Sequence, residues 1–210
     1  KFIEKKKNDQ VDENIFFMKE FFSAINDCEN NIRFLMITGT LMHEKVEMLN
    51  TIKGLKDITI STNYSNILGF SKTEIKENYS EYLKRTAMLW GNSSDEIVDM
   101  IFNWYGGYSW NGEPKLANPH SVLKFFDNID FKCYSIGLGV PALLLKLMKD
   151  NQITAESINN HLSSARSLDN FNHVTGDPYS YLLYYGYLTI QSFNKKTGIY
   201  KLVYPNLEVK

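Results

Sequence analysis

NWYGGYSW, the stretch Asn103–Trp110, is the part of the sequence that best predicts the local structure at the middle of the chain. The capping box Ser93-x-x-Glu96 predicts a helix shortly before it. Gly106 and Gly107 are typical of a helix end, because glycine adopts backbone conformations that side chains disfavour. The aromatic residues have two interpretations: they fill a packing corner against the next helix, or they stack on a base or an adenine ring. The sequence therefore predicts a helix, a glycine turn and an aromatic cluster whose role stays open.

Helical signals also surround this stretch. A second capping box, Ser71-x-x-Glu74, predicts a helix before it. Asn118 and Pro119 predict the N-terminus of a helix after it, since asparagine caps the first turn and proline fits it. We expect a helical layer over residues 61–151.

The last part of the chain turns from helical to β-rich patterns. A polar helix is expected near Ala155–Ser163 and an apolar one near Pro178–Tyr185. Two strands, Tyr187–Phe193 and Ile199–Tyr204, follow with a turn between them. Helices followed by a two-stranded hairpin suggest a winged helix over residues 152–210.

The first part has the pattern of half an α/β unit. Apolar residues at helical spacing predict a largely buried helix over Asn14–Cys28. FLMI, residues Phe34–Ile37, lacks polar alternation, as expected for a parallel strand covered on both faces. Ligands in open α/β sheets bind where strands end, so Thr38, Gly39 and Thr40 are candidates for sensing a nucleotide. The alternative is that the two threonines hydrogen-bond the backbone of the turn.

The composition is that of a globular chain without a dominating charge. Its 210 residues are 43% hydrophobic with a net charge of −1, so no overall field attracts nucleic acid or an acidic membrane. No apolar run approaches the roughly 18 residues that span a bilayer. Cys28 and Cys133 belong to no CxxC or Cys/His cluster and are interpreted as reduced thiols, which favours the cytoplasm. The histidines form no HxxxH or His–Cys pair, so no metal site is expected.

The order of several motifs resembles the AAA-ATPase-like family. Its members carry an N-terminal P-loop ATPase and usually a C-terminal domain of the PD-(D/E)XK nuclease type. The similarity spans nearly the whole chain. The signature comprises Trp104, Tyr105, Gly107, Tyr108, Asn118 and Pro119, and the resemblance extends over Arg33–Gly39, Tyr64–Phe70, Gly139–Pro141, Gly186–Ile190 and Tyr204–Val209.

The resemblance implies three parts and an α/β plus mostly helical fold. Residues 1–60 would be the distal part of the P-loop ATPase α/β core with its parallel sheet. Residues 61–151 would be a helical lid, and residues 152–210 a winged helix with the start of a linker. The start of the chain inside the core pattern suggests the middle of a longer protein, with a nuclease-type domain after residue 210.

ATP and Mg²⁺ are the cofactors that the resemblance implies. The sequence contains no Walker A motif, GxxxxGK[ST], and no Walker B strand, so ligands for both are expected upstream and this segment alone is predicted to be inactive. It also lacks a PD-(D/E)XK pattern with suitable partners. Leu41 and Met42 stand where the family usually shows small and basic polar residues, and neither can hydrogen-bond an attacking water or a γ-phosphate. This difference favours weak or absent hydrolysis.

Three functional hypotheses follow. In the first, the chain couples ATP binding or hydrolysis to a downstream nuclease-like or nucleic-acid-acting module. In the second, it is a degenerate, non-hydrolysing scaffold that binds a protein partner or a downstream domain. In the third, it binds nucleic acid through the hairpin, where Lys195 and Lys196 can contact phosphates. No residue of the chain is predicted to be catalytic.

Overall fold

The computed structural model describes residues 2–39, 52–135, 142–168 and 177–210. The chain forms two compact units, Lys1–Asp57 and Ile58–Lys210. The described residues form nine α-helices, two short 3-10 helices at Glu29–Asn31 and Thr62–Tyr64, and one three-stranded sheet. In chain order the elements are α1 (Phe2–Asp27), α2 (Lys72–Asn78), α3 (Ser80–Trp90), α4 (Ser94–Tyr105), α5 (Pro119–Asn128), α6 (Ala142–Asp150), α7 (Ala155–Ile158), β1 (His161–Ser164), α8 (Ala165–Leu168), α9 (Pro178–Tyr184), β2 (Thr189–Asn194) and β3 (Ile199–Val203).

The predicted fold class is wrong, because the sheet of the described residues is small and antiparallel, not a parallel P-loop sheet. Residues 34–39 form no strand, and Phe34 is 80% exposed. Helix α1 covers the predicted Asn14–Cys28 up to Asp27, but it is not largely buried there, since Phe21 is 63% exposed. A parallel strand is buried only between neighbouring strands with helices on both faces. The described part of this unit supplies no such neighbours.

The helical layer of the second unit consists of α2 to α5. Both predicted capping boxes are confirmed at the starts of α2 and α4. The Ser71 hydroxyl accepts a hydrogen bond from the Glu74 amide at 3.1 Å, and the Ser93 hydroxyl accepts one from the Glu96 amide at 3.2 Å. These bonds satisfy amide donors that a helix start otherwise leaves open. The side chains shared by the common core include Ile75, Leu83, Ile97, Ile101, Val122 and Phe125.

The helices and strands from α7 to β3, here called the C-terminal module, follow the helical layer. Strand β3 lies between β1 and β2 and is antiparallel to both. The hairpin of β2 and β3 confirms the two strands predicted from the sequence. The predicted helix near Ala155–Ser163 is wrong beyond Ile158, because residues 161–164 pair with β3 instead. The described residues from α7 to β3 therefore form a small mixed α/β module with one three-stranded antiparallel sheet.

Candidate functional site: the corner that holds the C-terminal segment

The stretch Asn103–Trp110, here called the corner, packs its first aromatic side chains into the helical layer. Tyr105 is fully buried. Its hydroxyl accepts a hydrogen bond from the Lys132 amide and donates one to the Lys132 carbonyl, each at 3.1 Å. Burial raises the pKa of Tyr105 well above its usual range. Trp104 stacks on Phe131 with ring centroids 5.4 Å apart. Both rings therefore contribute to packing at this corner.

The backbone of the corner binds the C-terminal segment, Tyr204–Lys210. The Leu207 amide donates to the Asn103 carbonyl at 3.0 Å, and the Glu208 amide donates to the Trp104 carbonyl at 3.1 Å. The buried side chain of Asn206 donates to the Gly106 carbonyl at 2.7 Å. These carbonyls lie at the C-terminus of α4, where helical carbonyls lack partners within the helix. The segment thus caps the helix from outside.

Gly107 makes the closest approach to this segment. A Cβ atom at this position would lie 2.1 Å from the Pro205 carbonyl oxygen, and the backbone has a φ of +85°. Only glycine satisfies both conditions. The next residue, Tyr108, has a side-chain hydrogen bond with Asn206, while burial raises the pKa of Tyr108 to about 12. The Gly-Tyr pair of the signature therefore serves to hold the segment.

Glu208 lies at the centre of this contact, and the residue is only 4% exposed. Its Oε1 accepts hydrogen bonds from the backbone amides of Tyr134 at 2.7 Å and Ser135 at 2.9 Å. The Ser121 hydroxyl lies 3.0 Å from Oε1 and 2.9 Å from Oε2. A buried carboxylate is tolerated only with such donors. All of these donors are neutral, so the contact is a hydrogen-bonded carboxylate cradle rather than an ion pair.

Asn118 and Pro119 place Ser121 in the cradle by starting α5. The Asn118 side chain accepts a hydrogen bond from the His120 amide at 3.0 Å, and Pro119 occupies the first turn. The Asn118 amide also donates to the Tyr105 carbonyl at 2.8 Å. This confirms the predicted helix start and joins it to the corner. Both halves of the sequence signature therefore meet on the C-terminal segment.

A pocket of about 230 Å³ lies beside the corner, next to α9. Its walls include Tyr108, Trp110, Leu116, Pro119, Leu183 and Tyr184. Its polar edge is fixed by Thr189, whose hydroxyl accepts a hydrogen bond from the Ser109 amide at 2.7 Å and donates one to the Ser109 carbonyl at 3.1 Å. None of the residues lining it is Asp, Glu, Lys, Arg or His. The pocket can hold a small apolar or aromatic group, but its lining lacks the groups that usually transfer protons near neutral pH.

The remaining candidate residues lie apart from this contact. Thr38 and Gly39 are exposed and follow no strand, while Thr40 lies outside the described residues. The structural reason for assigning them a nucleotide contact, the end of a parallel strand, is therefore missing. Lys195 and Lys196 are exposed in the turn between β2 and β3.

Sequence reasoning missed Ser121, Asn206 and Glu208 as partners. The motif PNLEV, residues 205–209, is visible in the sequence, but it lies far along the chain from its binding site. The Asn206–Gly106 bond joins residues 100 positions apart, and the Ser121–Glu208 bond joins residues 87 apart. No local spacing rule links such positions. What identifies these residues is that they are polar and yet buried. Their burial is visible only in the folded structure.

Two other classes of feature find no support in the described part of the chain. Within the described ranges, no group of three or more His, Cys, Asp or Glu side chains could hold a metal ion. Of the helices that the structure describes, none is both long and apolar enough to cross a membrane.

Comparison with known proteins gives a distant relative. No family model and no solved structure matches this chain. An uncharacterised protein encoded in the vnfD 5′ region of Azotobacter chroococcum mcd 1 is 29% identical to it over 197 residues. The match covers 92% of this chain and 36% of that protein, so the chain spans little more than a third of the relative's length.

Proposed function

We propose that this chain is a coupling module of a longer AAA-ATPase-like protein. It would pass a change of nucleotide state to a downstream nuclease-like or nucleic-acid-acting module in the cytoplasm. The proposal is supported by the order of the sequence motifs and by the greater length of the distant relative. ATP and Mg²⁺ would bind outside the described residues of this chain. The single observation that carries the proposal is the docking of the C-terminal segment on the corner.

This contact gives the module a mechanical role. Strand β3 ends at Val203 and leads directly into the C-terminal segment, which is hydrogen-bonded to the last turn of α4 and to the start of α5. Packed interiors transmit displacement because they are dense and have few alternative arrangements. A shift of α4 or α5 would therefore move the C-terminal module and residue 210 with it.

A non-hydrolysing scaffold is the second candidate, and a specific observation favours it. The lining of the pocket carries no charged side chain, and Thr38 lies exposed outside any strand. The same docked segment would then hold a protein partner or a downstream domain in a fixed position without any nucleotide step.

The test uses the longest natural chain that contains these residues. Binding of a fluorescent ATP analogue and ATP hydrolysis are measured first, and micromolar binding supports the coupling role, whereas none supports the scaffold. A fluorophore pair, one on α3 and one after residue 210, then reports the nucleotide-dependent distance. Glu208→Ala should abolish the distance change while leaving nucleotide binding intact.

Two controls make this result specific. Glu77→Ala removes an exposed glutamate from α2 and should leave the distance change unaltered. Glu208→Gln should retain most of it, because the Gln carbonyl can replace Oε1 and the Ser121 hydroxyl can accept from the Gln amide. A full distance change in Glu208→Ala would refute coupling through the C-terminal segment.

A further inference from the structure

The hairpin region has a local excess of positive charge, although the chain as a whole is nearly neutral. From Pro178 to Leu207 the sequence contains three lysines and no aspartate or glutamate, although the whole chain has a net charge of −1. The three are Lys195, Lys196 and Lys201. A local field of one sign attracts ligands of the opposite sign even when the protein is neutral overall.

The tip of the hairpin presents two of these lysines on an ordered turn. The Asn194 side chain accepts hydrogen bonds from the Lys196 amide at 2.9 Å and from the Thr197 amide at 3.3 Å. The Gly198 amide closes the turn on the Asn194 carbonyl at 2.8 Å, and Gly198 has a φ of +68° that suits glycine. A pre-formed turn lowers the entropy lost when a ligand is bound.

The third lysine lies on the exposed face of the sheet. Lys201 pairs with Ser192 on β2 and with Leu162 on β1. Directly opposite residues in an antiparallel pair share one face. Leu162 is 63% exposed and Ser192 is exposed, so this face is open to a ligand. The lysines therefore lie along one accessible side and the tip of the hairpin.

An aromatic pair lies beside the tip, on the opposite face of the sheet from Lys201, because successive residues of a strand alternate between the two faces. Phe193 stacks on Tyr200 with ring centroids 4.4 Å apart, and Phe193 stays 37% exposed beside the tip. The tip lysines and the exposed part of Phe193 provide the combination of positive charge and aromatic surface with which proteins bind single-stranded nucleic acid.

The loop packed against β2 does not cancel the charge of the hairpin. The loop that approaches β2 at Gly112 carries Glu113 and Lys115, which attract each other. Lys115 also donates a hydrogen bond to the Ile190 carbonyl at 3.1 Å. The loop thus adds one charge of each sign and leaves the excess on the hairpin.

Helix α9 limits which parts of a nucleic acid this region can contact. This helix precedes the hairpin, and most of its side chains are buried, including Tyr181, Leu182 and Leu183. A buried helix cannot enter a major groove, where bases are distinguished. Contacts from the hairpin alone would reach phosphates, which carry no sequence information.

We infer that the β2–β3 hairpin is a binding site for the phosphate backbone of nucleic acid, contacted through Lys195, Lys196 and Lys201 without sequence preference. The site is independent of the proposed coupling role, because it requires neither nucleotide nor a downstream module. Two or three phosphate contacts give weak, salt-dependent binding. The logarithm of affinity should fall with the logarithm of salt concentration at a slope of about −2 to −3 for duplex and about −1.5 to −2 for a single strand.

The test measures fluorescence anisotropy of labelled mixed-sequence DNA, single-stranded and duplex, with the full 210-residue chain between about 25 and 200 mM salt. Lys195→Glu/Lys196→Glu should weaken binding at least about tenfold and make the slope shallower by about 2 on duplex. Lys146→Glu/Lys149→Glu makes the same charge change at exposed positions of α6 and should leave affinity within about twofold. The tip substitutions should not alter circular dichroism, because both lysines are exposed.

The single-stranded arm tests the aromatic pair. Phe193→Ala should weaken single-strand binding about fivefold or more and leave duplex binding nearly unchanged, since only unpaired bases can stack on the ring. Absence of binding at low salt, equal weakening by both lysine pairs, or a strong dependence on DNA sequence would each overturn the inference. An acidic peptide that competes as well as DNA would assign the hairpin to a protein partner instead.

Discussion

At Gly107 the corner and the C-terminal segment lie so close together that no side chain fits between them. Gly107→Ala should lower the free energy of unfolding by about 2–5 kcal/mol, because left-handed backbone strain adds to the displacement of Pro205. Urea unfolding of the full chain measures this loss.

A second glycine separates the two contributions. Gly91 has a φ of +72°, similar to that of Gly107, but a Cβ there would meet no atom within 4 Å. Gly91→Ala should therefore cost only the backbone strain, about 1–2 kcal/mol. Equal losses for both variants would mean that Pro205 does not constrain Gly107.

His161 should make the stability of the C-terminal module depend on pH. Its ring stacks on Tyr179 with centroids 3.3 Å apart. Burial lowers the pKa of His161 below its ordinary value of 6.5, and the charge of Asp177 opposes this only in part. The unfolded chain then binds a proton more readily than the folded one, so the free energy of unfolding falls as pH drops through 6.5 towards the lowered pKa.

His161→Phe should keep the stack and remove this titration. The difference in free energy of unfolding between the variant and the wild type should grow in favour of the variant from pH 7.5 to about 5.5. Carboxylates shared by both proteins cancel in the comparison. His120→Gln, an exposed substitution on α5, is the control, and a pH-independent difference for His161→Phe would contradict the prediction.

Among the elements, α4 was predicted well because its start depends on local contacts. Ser93→Ala should cost about 1 kcal/mol, since the Glu96 amide then loses the side-chain acceptor of the capping box. Ser94→Ala changes the neighbouring residue, the first of the helix, and should stay within about 0.5 kcal/mol. Thermal unfolding of the two variants decides whether the cap contributes; equal melting temperatures would show that it does not.

Strand β1 was predicted wrongly from its local sequence pattern. Its sequence, HLSS, continues a polar helical pattern and has little strand propensity. Its conformation follows from pairing with the distant strand β3, in which Leu202 lies opposite His161 and Ile199 lies opposite Ser164. Tertiary pairing thus overrode the local pattern, whereas the hairpin of β2 and β3 is a short-range structure with its own turn and could be predicted.

At the scale of the whole molecule, the predicted parallel sheet failed for a related reason. The run Phe34–Ile37 is apolar enough for a buried strand, but apolarity alone does not supply neighbouring strands. The candidate site was half predictable. Glycines and aromatics of the corner mark a tight turn in the sequence, while the segment that fills it comes from the other end of the unit and had to be found in the fold.

Glu208 should determine whether the C-terminal segment opens locally or only together with the rest of the second unit. Glu208→Ala leaves the amides of Tyr134 and Ser135 without their acceptor, a loss of about 1–3 kcal/mol. If the C-terminal segment opens as a local unit, these two amides and that of Leu207 should exchange with deuterium about 5- to 150-fold faster, while amides of β3 keep their rates. Glu208→Gln should stay close to the wild type, because its carbonyl can still accept from both amides. A uniform increase in exchange rates across the helical layer and the sheet would instead mean that the segment and the unit unfold together. Residue 210 would then not move independently of the unit.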